Sequence, residues 1–227
     1  MSGLIARYEA VRRAVDAAAV DAGRDPASVR LLAVSKTFPA AAIRELYDYG
    51  VRAFGENRVP ELEAKAAKAA ELPDDIEWHL IGQLQANKVR RAVRLAAYIH
   101  SVDSAALLER IDRIAGEEGR CPKVFIEINS GEASKSGCDA ATAPELARRA
   151  AGFAHLRPVG LMTMAPADAP EAELRRVFGA LADMRARLKA EGLDLPELSM
   201  GMSGDFAAAI AAGATWVRIG SAIFGQR

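Results

Sequence analysis

Eight short apolar segments recur along the chain, and each is followed by residues with helical periodicity. The segments are 30–34, 51–54, 77–81, 97–100, 124–128, 158–162, 197–200 and 216–219. Short strands that alternate with helices are typical of a parallel sheet, and eight such units close a barrel. The length of 227 residues suits one barrel of this kind. We therefore predict an α/β fold: a single (β/α)8 TIM barrel that forms one domain over residues 1–227.

One further helix is predicted ahead of the first strand. Leu4, Tyr8, Val11 and Val15 follow one another at spacings of four, three and four residues, which places them on one face of an amphipathic helix. The barrel is therefore expected to carry an extra N-terminal helix.

Charge and cysteine content exclude several classes of protein. Thirty basic side chains balance thirty acidic ones, so no overall field favours nucleic acid or an anionic membrane. The basic residues of segment 88–94 lie opposite an apolar helical face, as in a solvated barrel helix. Cys121, Cys138 and the three histidines, His79, His100 and His155, show no metal-ligand spacing. Without an apolar run of about 20 residues or a secretory signal, we expect a cytoplasmic protein that binds no metal and no membrane.

Lys36 directly follows the first apolar segment, at the carboxyl end of the predicted strand. In a parallel barrel this edge forms the active-site face, where an amine can be desolvated and act as a nucleophile. Taken alone, the position favours an ordinary solvated lysine that ends a strand. A role for Lys36 therefore depends on what the other loops bring to the same face.

The loops after the seventh and eighth segments contain Ser203 with Gly204, and Gly220 with Ser221. In (β/α)8 barrels this pair of loops often builds a phosphate site, because glycines permit close backbone approach and hydroxyls donate hydrogen bonds. Each loop by itself is equally typical of a turn capped by serine. The two together, in these two loops, favour a phosphate site.

Arg218 lies within the apolar segment 216–219, where a barrel strand is buried. An unpartnered buried arginine is costly, so it either belongs to an ion pair or contacts a ligand ring or phosphate. Beside a pyridine nitrogen, an always protonated guanidinium keeps that nitrogen unprotonated. Lys36, the two phosphate loops and Arg218 together predict a site for pyridoxal phosphate.

Ordered motifs resemble those of the pyridoxal phosphate homeostasis proteins, also called proline synthetase co-transcribed homologues. They extend over nearly the whole chain: 33–37 (AVSKT), 54–57 (FGEN), 78–82 (WHLIG), 134–137 (SKSG), 160–162 (GLM), 198–203 (LSMGMS), 217–220 (VRIG) and 223–225 (IFG). Phe38 departs from the family pattern, in which a polar residue is frequent. Gly204 departs too, because an acidic residue is common after the serine, so the resemblance implies backbone rather than side-chain contacts at that point.

The resemblance implies a barrel of the alanine racemase type with pyridoxal phosphate held on Lys36 as a Schiff base. By the matching motifs, Ser203, Gly204, Gly220 and Ser221 hold the phosphate. Arg218 faces the pyridine nitrogen, and Asn57 lines the ring.

A racemase needs two bases, one on each face of the substrate carbanion. Lys36 supplies one, whereas in alanine racemases the second comes from an added β-domain of a partner subunit. Only a few residues, up to Arg227, follow the eighth predicted strand. An arginine at the ring nitrogen also makes a poor electron sink. We therefore predict a protein that stores, carries or delivers pyridoxal phosphate, with no catalytic residues.

Two alternatives stay open at this point. One is a pyridoxal phosphate-dependent amino acid racemase, and the other is a barrel enzyme that acts on a phosphorylated metabolite without this cofactor. For the carrier, the expected partners are the cofactor itself and pyridoxal phosphate-dependent apo-enzymes, and we expect a monomer. Lys135 is either an acceptor of the cofactor during transfer or a solvated loop lysine.

Overall fold

A computed structural model of the chain describes residues 2–68, 72–131 and 136–225. The strands are β1 (Arg30–Val34), β2 (Ala53–Glu56), β3 (Glu77–Leu80), β4 (Tyr98–Val102), β5 (Lys123–Glu127), β6 (Arg157–Met162), β7 (Glu197–Ser199) and β8 (Trp216–Ile219). They form a closed barrel in which each strand pairs with its neighbour in sequence, and β8 pairs in parallel with β1. The predicted (β/α)8 barrel is confirmed.

Helices surround this barrel. They are α1 (Gly3–Asp21), α2 (Ala40–Asp48), α3 (Val59–Ala66), α4 (Val89–Leu95), α5 (Ala105–Glu117), α6 (Ala143–Ala151), α7 (Glu171–Ala190), α8 (Phe206–Ala211) and α9 (Ser221–Phe224), with 3-10 turns at Pro26–Ser28 and Ala86–Lys88. None of the helices in the described segments is both long enough and apolar enough to cross a membrane.

The predicted N-terminal helix is α1, and it packs against α8 and α9. Leu4 and Val15 are buried, as the helical spacing predicted. The Arg7 side chain donates a hydrogen bond of 2.7 Å to the carbonyl of Ile223. The extra helix therefore also fastens the short last helix, α9, to the barrel wall.

The basic segment in α4 is a barrel helix, as predicted. Val89, Ala92 and Val93 are buried against the core. Arg90 and Arg94 form ion pairs with Glu118, directly after α5, and Arg91 forms one with Glu63 of α3. These basic side chains therefore serve helix–helix contacts on the barrel surface.

The second strand begins and ends two residues later than predicted. Val51 belongs to the turn that ends α2, where its N–H donates to the carbonyl of Leu46 and Gly50 has φ 111°. Gly55 and Glu56 instead pair with His79 and Leu80 of β3. The sequence did not indicate this register, because Glu56 is a charged residue inside a buried strand and interrupts the apolar pattern.

Two hydrophobic cores are separated by the barrel wall. The larger lies between the strands and the helices, and the smaller contains Leu32, Tyr98, Phe125, Val159, Met162 and Trp216. His79 on β3 contacts Trp216 on β8, with ring centroids 4.7 Å apart, so the smaller core occupies the interior of the barrel. Barrel interiors usually hold branched aliphatic side chains. Here aromatic rings and histidines take much of that space.

Candidate binding site

Lys36 extends from the end of β1 into a cavity of about 240 Å³ at the carboxyl ends of the strands. The other residues that line the cavity are Val34, Thr37, Phe38, Gly220, Ser221 and Gly225. Among the described residues, Lys36 is the only titratable one lining this cavity, and its ammonium has no hydrogen-bond or ion-pair partner there. A primary amine is thus available for a ligand beside a glycine and a serine of the last loop.

The backbone beside Lys36 adopts an uncommon conformation. Thr37 has φ 70°, in the left-handed region that β-branched residues avoid. Its N–H donates to the Glu61 carboxylate, and the N–H of Phe38 donates to the carbonyl of Ser35. Phe38 stacks on Phe224, with ring centroids 5.1 Å apart. Such strain persists only where the surroundings hold it, as they do around Lys36.

A buried ionic group, which we call the Lys65 cluster (Glu56, Glu61 and Lys65), lies beneath this turn. The Lys65 ammonium is 2.6 Å from a carboxylate oxygen of Glu56, 2.9 Å from one of Glu61 and 2.9 Å from the carbonyl of Ser35. Its side chain is only 7% exposed. The cluster therefore joins β2 and α3 to the residues on both sides of Lys36.

Glu56 experiences two opposing influences. Burial raises the pKa of its carboxyl, while hydrogen bonds from Lys65 and from the Ser35 hydroxyl oppose that rise. One carboxylate oxygen accepts from both donors, and the other has no partner among the described residues. Lys65 is thus the cation that makes this buried carboxylate tolerable.

The two predicted phosphate loops meet at their serines. The hydroxyls of Ser203 and Ser221 lie 3.3 Å apart, although the residues belong to the loops after β7 and β8. A Cβ atom on Gly220 would lie 3.2 Å from the carbonyl oxygen of Val34, so glycine lets this loop lie close against β1. Two hydroxyls and a close backbone form a donor set that suits an anion such as a phosphate group.

Two other predicted site residues lie farther out. Gly204 lines a separate groove together with residues of α7 and α8. Asn57 packs against Gly82, where a Cβ atom would lie 2.1 Å from the Asn57 carbonyl oxygen. Asn57 therefore lies directly after β2, against the segment that follows β3. Lys135 is outside the described residues.

Arg218 is fully enclosed in the barrel. Its guanidinium donates to the Ser199 hydroxyl at 2.7 Å and to the carbonyl of Thr163 at 3.0 Å. Within the described part of the chain it makes no ion pair, and Asp205 and Glu127 act on it only from a distance. Burial lowers its pKa to about 10, which still leaves it protonated at neutral pH.

Sequence reasoning missed the polar side chains inside the barrel. In the sequence His79 and His100 stand in separate segments without ligand spacing, yet their ring nitrogens lie 2.9 Å apart. The described residues contain no cluster of metal-ligating side chains around them. A two-residue period in four strands could have revealed this interior: Glu77 with His79, Tyr98 with His100, Glu197 with Ser199, and Trp216 with Arg218.

The fold and the site define a barrel of the alanine racemase class. The family model described as "Alanine racemase, N-terminal domain" matches residues 9–227. The chain is 44% identical over 229 residues to the pyridoxal phosphate homeostasis protein of Pseudomonas aeruginosa, a match that covers 100% of this chain and 97% of that protein. The chain therefore belongs to the family of pyridoxal phosphate homeostasis proteins, which confirms the resemblance inferred from its motifs.

Solved structures of PipY from Synechococcus elongatus are similar to the chain throughout. The structure without pyridoxal phosphate has 48% sequence identity and a TM-score of 0.82, and the match covers 87% of this chain and 93% of that one. The structure with pyridoxal phosphate bound has 45% identity and a TM-score of 0.81, with 93% and 99% covered.

Proposed function

We propose that this protein binds pyridoxal phosphate on Lys36 and serves in the homeostasis of that cofactor, by storing it, carrying it or delivering it to apo-enzymes. The observation that carries the proposal is the shared cavity of Lys36, Gly220 and Ser221, because it places an amine beside the candidate phosphate loop. The names of the family members and the cofactor bound to PipY support the same ligand. The proposal treats residues 1–227 as one binding domain in the cytoplasm.

Each part of the site has a separate task toward the cofactor. When bound, pyridoxal phosphate supplies an aldehyde that condenses with a primary amine to form a Schiff base. Lys36 provides that amine, and the hydroxyls of Ser203 and Ser221 donate to phosphate oxygens. Gly220 lets backbone approach the phosphate, as we also propose for Gly204, although Gly204 lines the outer groove.

The remaining residues act on the pyridine ring. Arg218 commits two N–H groups to Ser199 and to the Thr163 carbonyl, which leaves others for a ring nitrogen. A guanidinium has no acceptor and stays protonated, so the ring nitrogen opposite it remains unprotonated. Asn57, directly after β2, lines the ring.

A carrier fits this site better than a racemase does. Racemisation needs a second acid–base group opposite the lysine. Apart from Lys36, the described residues that line the cavity carry no titratable side chain. The arginine-facing ring also stabilises a carbanion poorly. We therefore propose that the protein holds the cofactor without turning over amino acids, and that it acts as a monomer.

The binding proposal is tested by adding pyridoxal phosphate to the purified protein and recording the visible absorption of the Schiff base. We expect a band in the wild type that is absent from Lys36→Ala. Lys189→Ala is the matched control, because the Lys189 side chain is 72% exposed and lies on α7, away from the cavity. A band of full strength in Lys36→Ala would contradict the proposal.

The phosphate role is tested by comparing pyridoxal phosphate with pyridoxal, which lacks the phosphate group. Ser221→Ala is expected to weaken binding of pyridoxal phosphate by roughly tenfold, since a hydrogen bond to a charged group is lost. Binding of pyridoxal should be unchanged. Equal weakening of both ligands would remove Ser221 from the phosphate site.

The carrier and the racemase are separated by α-proton exchange in deuterated water. The loaded protein is incubated with a panel of amino acids, and we expect no exchange above the rate of free pyridoxal phosphate. Transfer of the cofactor to a pyridoxal phosphate-dependent apo-enzyme should restore the activity of that enzyme. Rapid exchange that depends on Lys36 would favour the racemase.

A further inference from the structure

Five polar side chains form a continuous line through the interior of the barrel. Glu77 is 3.0 Å from Nε2 of His79, and Nδ1 of His79 is 2.9 Å from Nε2 of His100. Nδ1 of His100 is 2.9 Å from the Ser199 hydroxyl, which is 2.7 Å from the Arg218 guanidinium. We call this set the histidine line. It connects the start of β3 with the arginine at the candidate cofactor ring.

The chemistry of the two ends gives the line a direction. Arg218 can only donate hydrogen bonds, and the ionised carboxylate of Glu77 can only accept them. The Ser199 hydroxyl accepts from Arg218 and is then free to donate to Nδ1 of His100. His100 in turn donates from Nε2 to Nδ1 of His79, and His79 donates from Nε2 to Glu77. Each hydrogen bond then contains one proton, and both histidines are neutral with the proton on Nε2.

The surroundings favour these neutral histidines. Both side chains are fully buried, His79 stacked on Tyr98 and His100 on Phe125, each with ring centroids 4.3 Å apart. Burial is the main cause that lowers the pKa of His79 and, more strongly, the pKa of His100. The hydrogen bond from His79 lowers the pKa of Glu77, which keeps that carboxylate an acceptor.

Core packing alone does not account for this line. Buried polar groups cost free energy unless they are hydrogen-bonded, and apolar side chains of similar size would fill the same space at less cost. Branched aliphatic residues do so in most barrels. The histidine line does provide a fixed acceptor for Arg218, because each hydrogen-bonded group in the line orients the next one.

We propose that Ser199, His100, His79 and Glu77 are positioning residues, which hold the Arg218 guanidinium in place against the ring of the bound cofactor through a directed series of hydrogen bonds. The inference rests on the proposed function, since the ring is that of pyridoxal phosphate. None of the four touches the cofactor in this account, and their effect on it passes through Arg218.

The first test reads the direction of the line in the protein without added cofactor. Long-range ¹⁵N–¹H NMR spectra of protein with ¹⁵N-labelled histidine report which ring nitrogen carries the proton. We expect His79 and His100 to be neutral at pH 7 with the proton on Nε2. A protonated imidazole at either residue, or a proton on Nδ1 of His100, overturns the proposal.

The second test compares Ser199→Ala with Thr215→Val. Each variant removes one hydroxyl between β7 and β8, but the Thr215 hydroxyl bonds to backbone groups of Leu198 and is outside the line. In Ser199→Ala the line from Glu77 through His79 still keeps the proton of His100 on Nε2, but Arg218 loses its acceptor. We therefore expect the dissociation constant for pyridoxal phosphate to rise roughly tenfold. The absorption maximum of the bound cofactor should also shift. Thr215→Val should change none of these.

The outcomes separate the two proposals. If Lys36 binds the cofactor but Ser199→Ala and Thr215→Val behave alike in affinity and spectrum, the positioning role is overturned. If wild-type protein forms no adduct on Lys36, the proposed function fails and the positioning role fails with it, whatever the tautomers are. If Ser199→Ala does not fold, the tautomers of the wild type still decide the direction of the line.

Discussion

The Lys65 cluster and the histidine line are both buried and polar, yet they compensate their buried polar groups in different ways. In the Lys65 cluster a full positive charge sits 2.6 Å from a full negative charge, in a space that is almost closed to water. In the histidine line the middle members are neutral, and only the ends are charged. The first holds the backbone around Lys36, and the second ends on Arg218 of β8, the strand that pairs with β1.

The difference shows what each network can tolerate. A buried ion pair fails when one partner is removed, because the other charge is left without compensation. A line of neutral groups depends on direction, so a substitution costs less free energy but disturbs orientation. The Lys65 cluster should therefore control the stability of the fold, and the histidine line should control the fine positioning of one arginine.

The largest expected effect is that of Lys65→Met. Removing the ammonium leaves the buried Glu56 carboxylate unpaired, so we expect the free energy of unfolding to fall by about 3–5 kcal/mol. Urea unfolding of the variant against Lys189→Met measures the change. The double variant Glu56→Gln/Lys65→Met should recover part of the loss. If Lys65→Met costs no more than the surface control, the cluster does not stabilise the fold.

The next largest effect is expected on acidification, where protonation of the histidine line should lower the free energy of unfolding. His79 and His100 have pKa values below their ordinary value in the folded protein, so below about pH 6.5 the unfolded chain binds more protons than the folded one. The contribution of the two histidines to the free energy of unfolding is therefore fully present above about pH 6.5. It is lost as the pH falls, by up to about 1.4 kcal/mol per pH unit for each histidine.

His100→Gln isolates this contribution. Buried carboxyls such as Glu56 and Glu127, whose pKa values are raised, are common to both proteins and cancel in the difference. The charged groups that act on the two histidines, Glu77, Arg30, Arg218 and Glu197, also remain. The variant should lose stability less steeply between pH 6.5 and 5. If the free energy of unfolding falls with pH equally steeply in the wild type and in His100→Gln, His100 is not held neutral in the fold.

A smaller effect is expected at Thr37, where the Lys65 cluster meets the site. Glycine accepts the φ of 70° without a Cβ clash, so Thr37→Gly should relieve strain of roughly 1 kcal/mol. At the same time the turn gains freedom, and binding of pyridoxal phosphate should weaken by a few fold. Calorimetric unfolding and a cofactor titration measure the two changes. A variant that is both less stable and unchanged in affinity would remove the role given to this turn.

The sequence predicted the architecture more completely than the site. Segments 30–34 and 216–219 coincide with β1 and β8, because buried parallel strands appear as apolar runs between turn residues. The same logic brought Lys36, Gly220 and Ser221 to one face, and the structure places them around one cavity. Once the barrel is closed, residues at strand ends are neighbours whatever their separation in the chain.

What the sequence could not predict depends on side-chain direction and distance in space. Lys65 lies near the end of α3, and nothing in the helical pattern of that segment indicates that its ammonium turns inward to Glu56. His79 and His100 are 21 residues apart on neighbouring strands, so only the closed barrel brings their rings together. Their alternation with outward residues was visible, but a two-residue period is weak evidence in strands of four or five residues.

The most direct test of the central claim is to identify the residue that carries the cofactor. The protein is loaded with pyridoxal phosphate, the Schiff base is reduced with borohydride, and the modified peptide is located by mass spectrometry. We expect the label on Lys36 in the wild type and in Ser199→Ala. The Lys36→Ala variant also tests Lys135, which stays a hypothesis as an acceptor and would lose support if it carried no label there. A wild-type label found mainly on any lysine other than Lys36 would contradict this account of the site.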